Sequence, residues 1–96
     1  MGQQITEEAG IADVKASIGI TALQMTTDTT RLKRGVVVKA LSTNAGIVYV
    51  GFSSGVTTSN GFPLAASESI SLEVDSASRI WVIASTTSQE VRFLGV

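Results

Sequence analysis

Short runs in which apolar and polar residues alternate, separated by turn-forming residues, dominate the chain from Ile20 onward. This period of two is typical of a β-strand with one buried face, and no stretch has a convincing helical period. In GVVVKALS, Val36, Val38 and Ala40 share one face and Val37, Lys39 and Leu41 share the other. In SISLEVD, the predicted inward residues are Ile70, Leu72 and Val74. Six or seven such strands, spaced by about 10 residues, predict an all-β fold, either an antiparallel β-sandwich or a partly closed barrel.

Neighbouring runs predict three hairpins. Turn residues join GVVVKALS (35–42) to IVYVGF (47–52), and short links join SISLEVD (69–75) to RIWVIAST (79–86) and that run to VRFLGV (91–96). Two strand-like runs with a short turn between them usually pair with each other.

The first 19 residues lack this pattern. Apolar residues are scattered there at Ile5, Ile11, Val14 and Ile18 among glutamines, glycines and acids. We therefore predict an amino-terminal arm over residues 1–19 and a single β-sandwich domain over residues 20–96, with a frayed terminus as the alternative interpretation of the arm.

Composition excludes most kinds of chemistry. The chain has no Cys and no His, which removes thiolate and imidazole nucleophiles, bases and metal ligands. Its net charge is −1, so no overall basic field favours nucleic acid. No apolar run reaches the roughly 18 residues that span a bilayer. We expect a soluble, unexported protein that is not an enzyme and has no cofactor, metal, nucleic-acid or membrane partner.

Charged residues make up only 16% of the chain, whereas Ser and Thr together number 23. A surface covered by hydroxyls is easily desolvated and repels its copies weakly, which favours packing against other protein. Such a small domain also gains stability from oligomerisation.

The run around Trp81 is apolar on both faces. If Ile80 and Val82 point inward, Trp81 and Ile83 point outward, although a sandwich sheet normally buries one face only. Either the chain's own long loop or arm covers the second face, or a neighbouring subunit does. The carboxyl-terminal run has the same property. The candidate protomer interface comprises Trp81, Ile83, Phe93 and Leu94.

A connection of unusual length, SSGVTTSNGFPLAASES (53–69), separates two strand-like runs. Asn60 and Gly61 form a strong turn pair, Phe62 is large and apolar, and Pro63 fixes a backbone angle. These choices predict a shaped loop whose apolar tip docks on its own domain or on a partner. The candidate loop residues for binding a partner are Val56, Thr57, Thr58, Asn60, Phe62, Pro63 and Leu64.

Two groups of charges have simple interpretations. The basic residues Arg31, Lys33, Arg34 and Lys39 have no acid among them, and they either steer an acidic partner or form a solvated edge that blocks strand pairing. The acids Glu73 and Asp75 are two residues apart on a strand and are read as a solvated face.

The stretch GIVYVGFSSGVTTSNGFPLAASESISLEV, followed by RIWVIASTTSQEVRFLGV, resembles a recurring small β-structured protein of tailed bacteriophages. The similar motifs are the VYVG strand, the TTSNGFPL loop, the Ser-Glu-Ser before an alternating strand, the IWVIAS strand and the V-R-aromatic-L ending. The resemblance covers about residues 31–96 and leaves the amino-terminal third unmatched.

This resemblance implies a virion structural protein, made in the bacterial host cytoplasm, and it implies no catalytic residues. Our leading expectation is a capsid cement or decoration protein at the capsid surface. Its expected partners are the major capsid protein or other virion structural proteins, and its own copies in a homo-oligomer, with a trimer favoured. The alternatives are a tail, neck or fibre-associated structural protein, and a carbohydrate-binding β-sandwich for host attachment. The last would need Trp81, Tyr49 or Phe52 to be exposed for stacking.

Overall fold

The computed structural model describes residues 10–96, which form eight strands in two antiparallel four-stranded sheets. In chain order the strands are β1 (Ile11–Ile18), β2 (Leu23–Gln24), β3 (Val36–Ala40), β4 (Val48–Gly51), β5 (Phe62–Leu64), β6 (Ser69–Leu72), β7 (Trp81–Ala84) and β8 (Gln89–Gly95). Sheet A has the order β1-β8-β3-β6, and sheet B has the order β2-β7-β4-β5. The sheets do not close into a barrel, so the predicted antiparallel β-sandwich is confirmed.

The hydrophobic core lies between the inner faces of the two sheets. Along β3, Val36, Val38 and Ala40 are buried, whereas Val37 and Lys39 are exposed. The core consists of Ile18, Met25, Leu32, Val36, Val38, Ala40, Val48, Val50, Leu64, Ala77, Ile80, Val82, Ala84, Val91 and Phe93, with Ile70, Leu72 and Val74 among the partly buried residues packed against it. The inward face predicted for Ile70, Leu72 and Val74 is therefore confirmed, and on β3 the inward face is the one that Val36, Val38 and Ala40 share.

The three predicted hairpins are wrong. Strand β3 pairs with β6 and β8 in sheet A, whereas β4 pairs with β5 and β7 in sheet B. Likewise, β6 and β8 lie in sheet A and β7 between them in the chain lies in sheet B. Alternation determines which face of a strand is buried, but it does not determine the partner strand, and here the chain crosses between sheets at each of these links.

Part of the predicted arm belongs to the sandwich. Ile11–Ile18 forms β1, which pairs with β8 at the edge of sheet A. The register shifts between Lys15 and Ile18, and Ser17 has a φ of 57°, so a β-bulge breaks the alternation that would have revealed the strand. The rest of the predicted arm, residues 1–9, lies outside the described residues.

The pairing of β3 with β8 in sheet A continues one residue beyond both strands, to Gly35 and Val96. The backbone N–H of Gly35 donates to the Val96 carbonyl (3.1 Å), and the Val96 N–H donates to the Gly35 carbonyl (3.0 Å). Gly35 has a φ of +131°, and a Cβ at this position would lie 2.0 Å from the carbonyl oxygen of Leu72. Glycine is therefore required where the basic segment before β3 enters the sheet.

Candidate binding surfaces

The long connection is shorter than the sequence suggests, because its second half contains a strand. Phe62–Leu64 forms β5, which pairs antiparallel with β4 at the edge of sheet B. Pro63 lacks a backbone N–H, and such residues are tolerated in edge strands because one side of the strand has no partner. The remaining loop between β4 and β5 spans residues 52–61.

Side-chain hydrogen bonds fix the shape of this loop. Asn60 Oδ1 accepts from the Thr57 N–H (2.8 Å), and Asn60 Nδ2 donates to the Gly55 carbonyl (3.2 Å). Thr57 Oγ1 accepts from the N–H groups of Ser59 and Asn60 (3.1 and 3.2 Å). The Gly61 N–H donates to the Thr57 carbonyl (2.9 Å). These bonds satisfy the loop's backbone locally, so the predicted shaped loop is confirmed.

Val56 anchors the loop to the outer face of sheet B. Its side chain is 6% exposed. A Cβ added at Gly51 would lie 2.6 Å from Val56 Cγ2, and one added at Gly61 would lie 2.9 Å from it, so Val56 packs closely against both glycines. Gly51 is the register partner of Trp81 on the neighbouring strand β7. The loop therefore covers part of the second apolar face, which was one of the two covers expected for the face that carries Trp81 and Ile83.

The anchored loop leaves two aromatic side chains in solvent. Phe52 is 62% exposed and Phe62 is 52% exposed. They flank a depression of about 380 Å³, whose lining residues include no charged one. We call residues 52–64 the loop surface. The sequence indicates Phe52 only as a possible stacking platform for sugars, whereas the structure places it beside Phe62 at this depression.

Most of the candidate loop residues are accessible, but two are not. Thr57, Thr58, Asn60, Phe62 and Pro63 are exposed on the loop surface. The other two predicted contact residues, Val56 and Leu64, are only 6% and 1% exposed because they pack on the chain itself. Val56 supports the loop's shape and Leu64 belongs to the core, so both have almost no surface to offer a partner.

The candidate protomer interface does not form one surface. Phe93 is 4% exposed in the core, and Ile83 is 8% exposed, so both are corrected to buried residues of the single chain. Trp81 is partly buried on sheet B, whereas Leu94 is 55% exposed on sheet A. An interface through Leu94 would therefore involve the opposite side of the sandwich from one through Trp81.

Leu94 lies among other exposed apolar residues on the outer face of sheet A. Leu94 is the register partner of both Ala12 on β1 and Val37 on β3. Val14 and Val37 are 43% and 42% exposed, and Val96, which follows β8, is 52% exposed. Exposed apolar side chains gathered on one face of a sheet are typical of a protein-protein contact.

The predicted basic group is divided between two places. Arg31, Lys33 and Arg34 are exposed in the segment before β3, whereas Lys39 lies on the outer face of sheet A. There Lys39 is the register partner of Arg92 on β8. Lys39 therefore adds positive charge to the outer face of sheet A, and none of the four cations lines the depression of the loop surface.

The carboxylates are engaged with neighbours. The Arg79 Nε donates to Asp75 Oδ1 (2.5 Å), and this hydrogen bond holds the pKa of Asp75 below its usual range. The pKa of Asp28 is also lowered, chiefly because the Thr30 hydroxyl donates to its carboxylate (2.6 Å). Both carboxylates are exposed, so they act as solvated surface charges.

Among residues 10–96, no three or more carboxylates lie together in a group that could hold a metal ion. Within the same range, no helix is long and apolar enough to cross a membrane. The distinctive features of these residues are therefore the loop surface and the outer face of sheet A.

Comparison of the chain with protein-family models, with curated proteins and with solved structures found no match. A functional assignment has to depend on the chain's own surfaces and on the sequence motifs that they carry.

Proposed function

We propose that this chain is a non-enzymatic structural protein of a tailed bacteriophage virion, and specifically a capsid cement protein. In this role it binds the assembled head and stabilises contacts between major capsid proteins. The resemblance of residues 31–96 to small phage proteins supports the virion setting. A subunit that binds only the assembled shell stabilises that shell by mass action.

The observation that carries the proposal is the exposure of Phe52 and Phe62 on a loop of fixed shape. Aromatic side chains that are held in place before binding lose little conformational entropy when a partner covers them. The hydrogen bonds of Asn60 and the buried side chain of Val56 supply this rigidity. The loop surface is accordingly the proposed shell-binding site.

The outer face of sheet A is the proposed contact between protomers. Leu94, Val37 and Val14 give it an apolar centre, and low overall charge keeps copies from repelling each other strongly. A homotrimer is the favoured assembly, because it would suit a subunit placed over a junction between capsid proteins.

The location can be tested by immunogold labelling of intact parent virions with an antibody against the folded domain. Gold over the heads is the expected result. Gold confined to the tail or neck would replace the cement role by the tail, neck or fibre-associated one, and absence of gold from whole virions and from disrupted ones would overturn both.

The loop contact can be tested with the Phe62→Ala variant. Because Phe62 is half exposed, the variant should fold normally but bind heads at least about tenfold more weakly, a loss typical of an interface hot spot. Thr58→Ala is the control, because Thr58 is an exposed neighbour of the same loop. Equal loss of folding and binding would show that Phe62 supports the core.

Carbohydrate binding is a second candidate, which the exposure of Phe52 favours. Of the three aromatic residues that could stack on a sugar, Phe52 is exposed, whereas Tyr49 and Trp81 are partly buried. The polar side chains beside Phe52 are occupied, however, since Ser53 and Asn60 bond to the loop's own backbone. Binding to a glycan array that Phe52→Ala abolishes would support this function.

A further inference from the structure

The loop surface contains a sequence with its own covalent chemistry. Of the two asparagines in the chain, Asn44 precedes Ala45, and Asn60 precedes Gly61. The backbone nitrogen after an asparagine can attack that residue's side-chain carbon, and glycine permits this attack best because it has no side chain to hinder the approach.

The reaction is a deamidation that consumes one water molecule. The Gly61 backbone nitrogen loses its proton and forms a bond to Asn60 Cγ, while the bond from Cγ to Nδ2 breaks and Nδ2 leaves as ammonia. Water then opens the five-membered succinimide. Opening at Cγ gives aspartate at position 60, and opening at the main-chain carbonyl gives an isoaspartyl linkage.

The folded loop holds both reacting groups in other bonds. The nucleophile's N–H donates to the Thr57 carbonyl (2.9 Å). The carboxamide is held on both sides, since Oδ1 accepts from the Thr57 N–H (2.8 Å) and Nδ2 donates to the Gly55 carbonyl (3.2 Å). Cyclisation requires the carboxamide to turn toward the Gly61 nitrogen, and this turn breaks the bonds that shape the loop.

We propose that Asn60 is a deamidation site which the closed loop protects, and that its conversion prevents the loop from closing again. In the product, a carboxylate oxygen replaces the Nδ2 donor and faces the Gly55 carbonyl, so a hydrogen bond becomes a repulsion between two acceptors. An isoaspartyl linkage would also lengthen the backbone between positions 60 and 61. After conversion of Asn60, the loop of the free chain therefore cannot return to its closed shape. This consequence does not depend on which partner the loop binds.

The first test compares the folded chain with the chain in concentrated guanidinium chloride at the same mildly alkaline pH and temperature. Intact mass and peptide mapping follow the conversion of Asn60, and released ammonia confirms the chemistry. We expect the folded chain to convert at least about tenfold more slowly, as for a site that reacts only after local opening. Equal rates in the two conditions would overturn the proposal.

A pair of variants tests whether the loop's hydrogen bonds give the protection. Thr57→Ala removes the hydroxyl that accepts from Ser59 and Asn60, whereas Thr58→Ala changes an exposed neighbour. Thr57→Ala should convert Asn60 faster than Thr58→Ala in the folded chain, and Thr57→Ser should restore the slow rate. Equal rates for the two alanine variants would contradict protection by this loop structure, and circular dichroism checks that each variant is folded.

The effect of conversion on the loop is tested with Asn60→Asp. We expect hydrogen exchange of the Thr57 and Gly61 amides to become faster than in the parent chain, while exchange in β3 and β8 stays unchanged. Unchanged exchange at Thr57 and Gly61 would show that the loop tolerates the carboxylate, and the second half of the proposal would be wrong.

Discussion

Sheets A and B each have a central strand with apolar residues on both faces, but the outer face is partly covered in sheet B and exposed to solvent in sheet A. On β7, Ile83 points outward and is only 8% exposed, whereas Leu94 points outward on β8 and is 55% exposed. The loop between β4 and β5 lies over part of sheet B, and its Val56 side chain packs against Gly51 and Gly61. Leu94 has no comparable cover among the described residues.

A strand with two apolar faces therefore does not by itself indicate a subunit interface. A chain that folds a long loop back onto one sheet covers that face without a partner. Where no loop returns, the same pattern of residues leaves an apolar face in solvent, and the cost of its hydration favours association.

The largest effect on stability is expected from the inner face of β8, in contrast to its outer face. Phe93→Ala removes a core ring and is expected to lower the free energy of unfolding by about 3–5 kcal/mol, whereas Leu94→Ala should change it by less than about 0.5 kcal/mol. Urea denaturation followed by tryptophan fluorescence measures both. When both variants are measured at a concentration where the chain is monomeric, a Leu94→Ala loss as large as that of Phe93→Ala would mean that something in the single chain covers Leu94.

The second-largest effect is expected from a substitution that displaces the loop from the outer face of sheet B. A methyl group at Gly51 would meet Val56 Cγ2 at 2.6 Å, whereas at Gly55 the nearest atom would be Ser53 Oγ at 3.4 Å. We expect Gly51→Ala to destabilise the chain by about 1–3 kcal/mol through overpacking, and Gly55→Ala to change its stability by less than about 0.5 kcal/mol. Thermal denaturation of both variants checks this. Equal stabilities would show that Val56 is not held tightly.

Local pattern was enough to predict the faces of the strands. The alternation of Val36, Val38 and Ala40 is fixed by the pleat of a single strand, and burial against the other sheet confirmed it. The partner of each strand could not be predicted in the same way, since any strand with one apolar face fits beside any other. β1 was missed because its bulge and its charged residues Asp13 and Lys15 obscure the alternation.

The loop was predictable to a similar extent. Asn60, Phe62 and Pro63 indicated a shaped loop, because each restricts the backbone or provides an apolar contact. The burial of Val56 depends instead on Gly51 and Gly61, which come next to it only in the folded structure. Neither glycine needs its conformational freedom here; each is required because a neighbouring side chain approaches closely.

The Leu94→Ser variant tests whether the exposed outer face of sheet A joins copies of the chain. If the outer face of sheet A joins copies of the chain, this variant should lower the mass measured by light scattering, and at concentrations where the parent chain is associated it should also lower the unfolding midpoint. Phe52→Ser is the matched control, because Phe52 is exposed on the loop surface and lies outside this face. The same mass for Leu94→Ser as for the parent chain would remove sheet A from the protomer interface.

The smallest effect should come from the surface carboxylates, because the contrast between the sheets depends on apolar packing. The folded pKa values of Asp75 and Asp28 are lowered, so the unfolded chain takes up protons first as the pH falls. Their stabilisation is therefore present above about pH 4, the usual range of an unfolded aspartate, and is lost as the pH falls through the lower folded values.

Asp75→Asn removes one such group, and urea midpoints between about pH 6 and pH 2 should then fall slightly less steeply than in the parent chain. Glu73→Gln is the control, since Glu73 is an exposed acid of the same segment and has no salt bridge among the described residues. A slope unchanged by Asp75→Asn would mean that solvent screens the Arg79 bond completely.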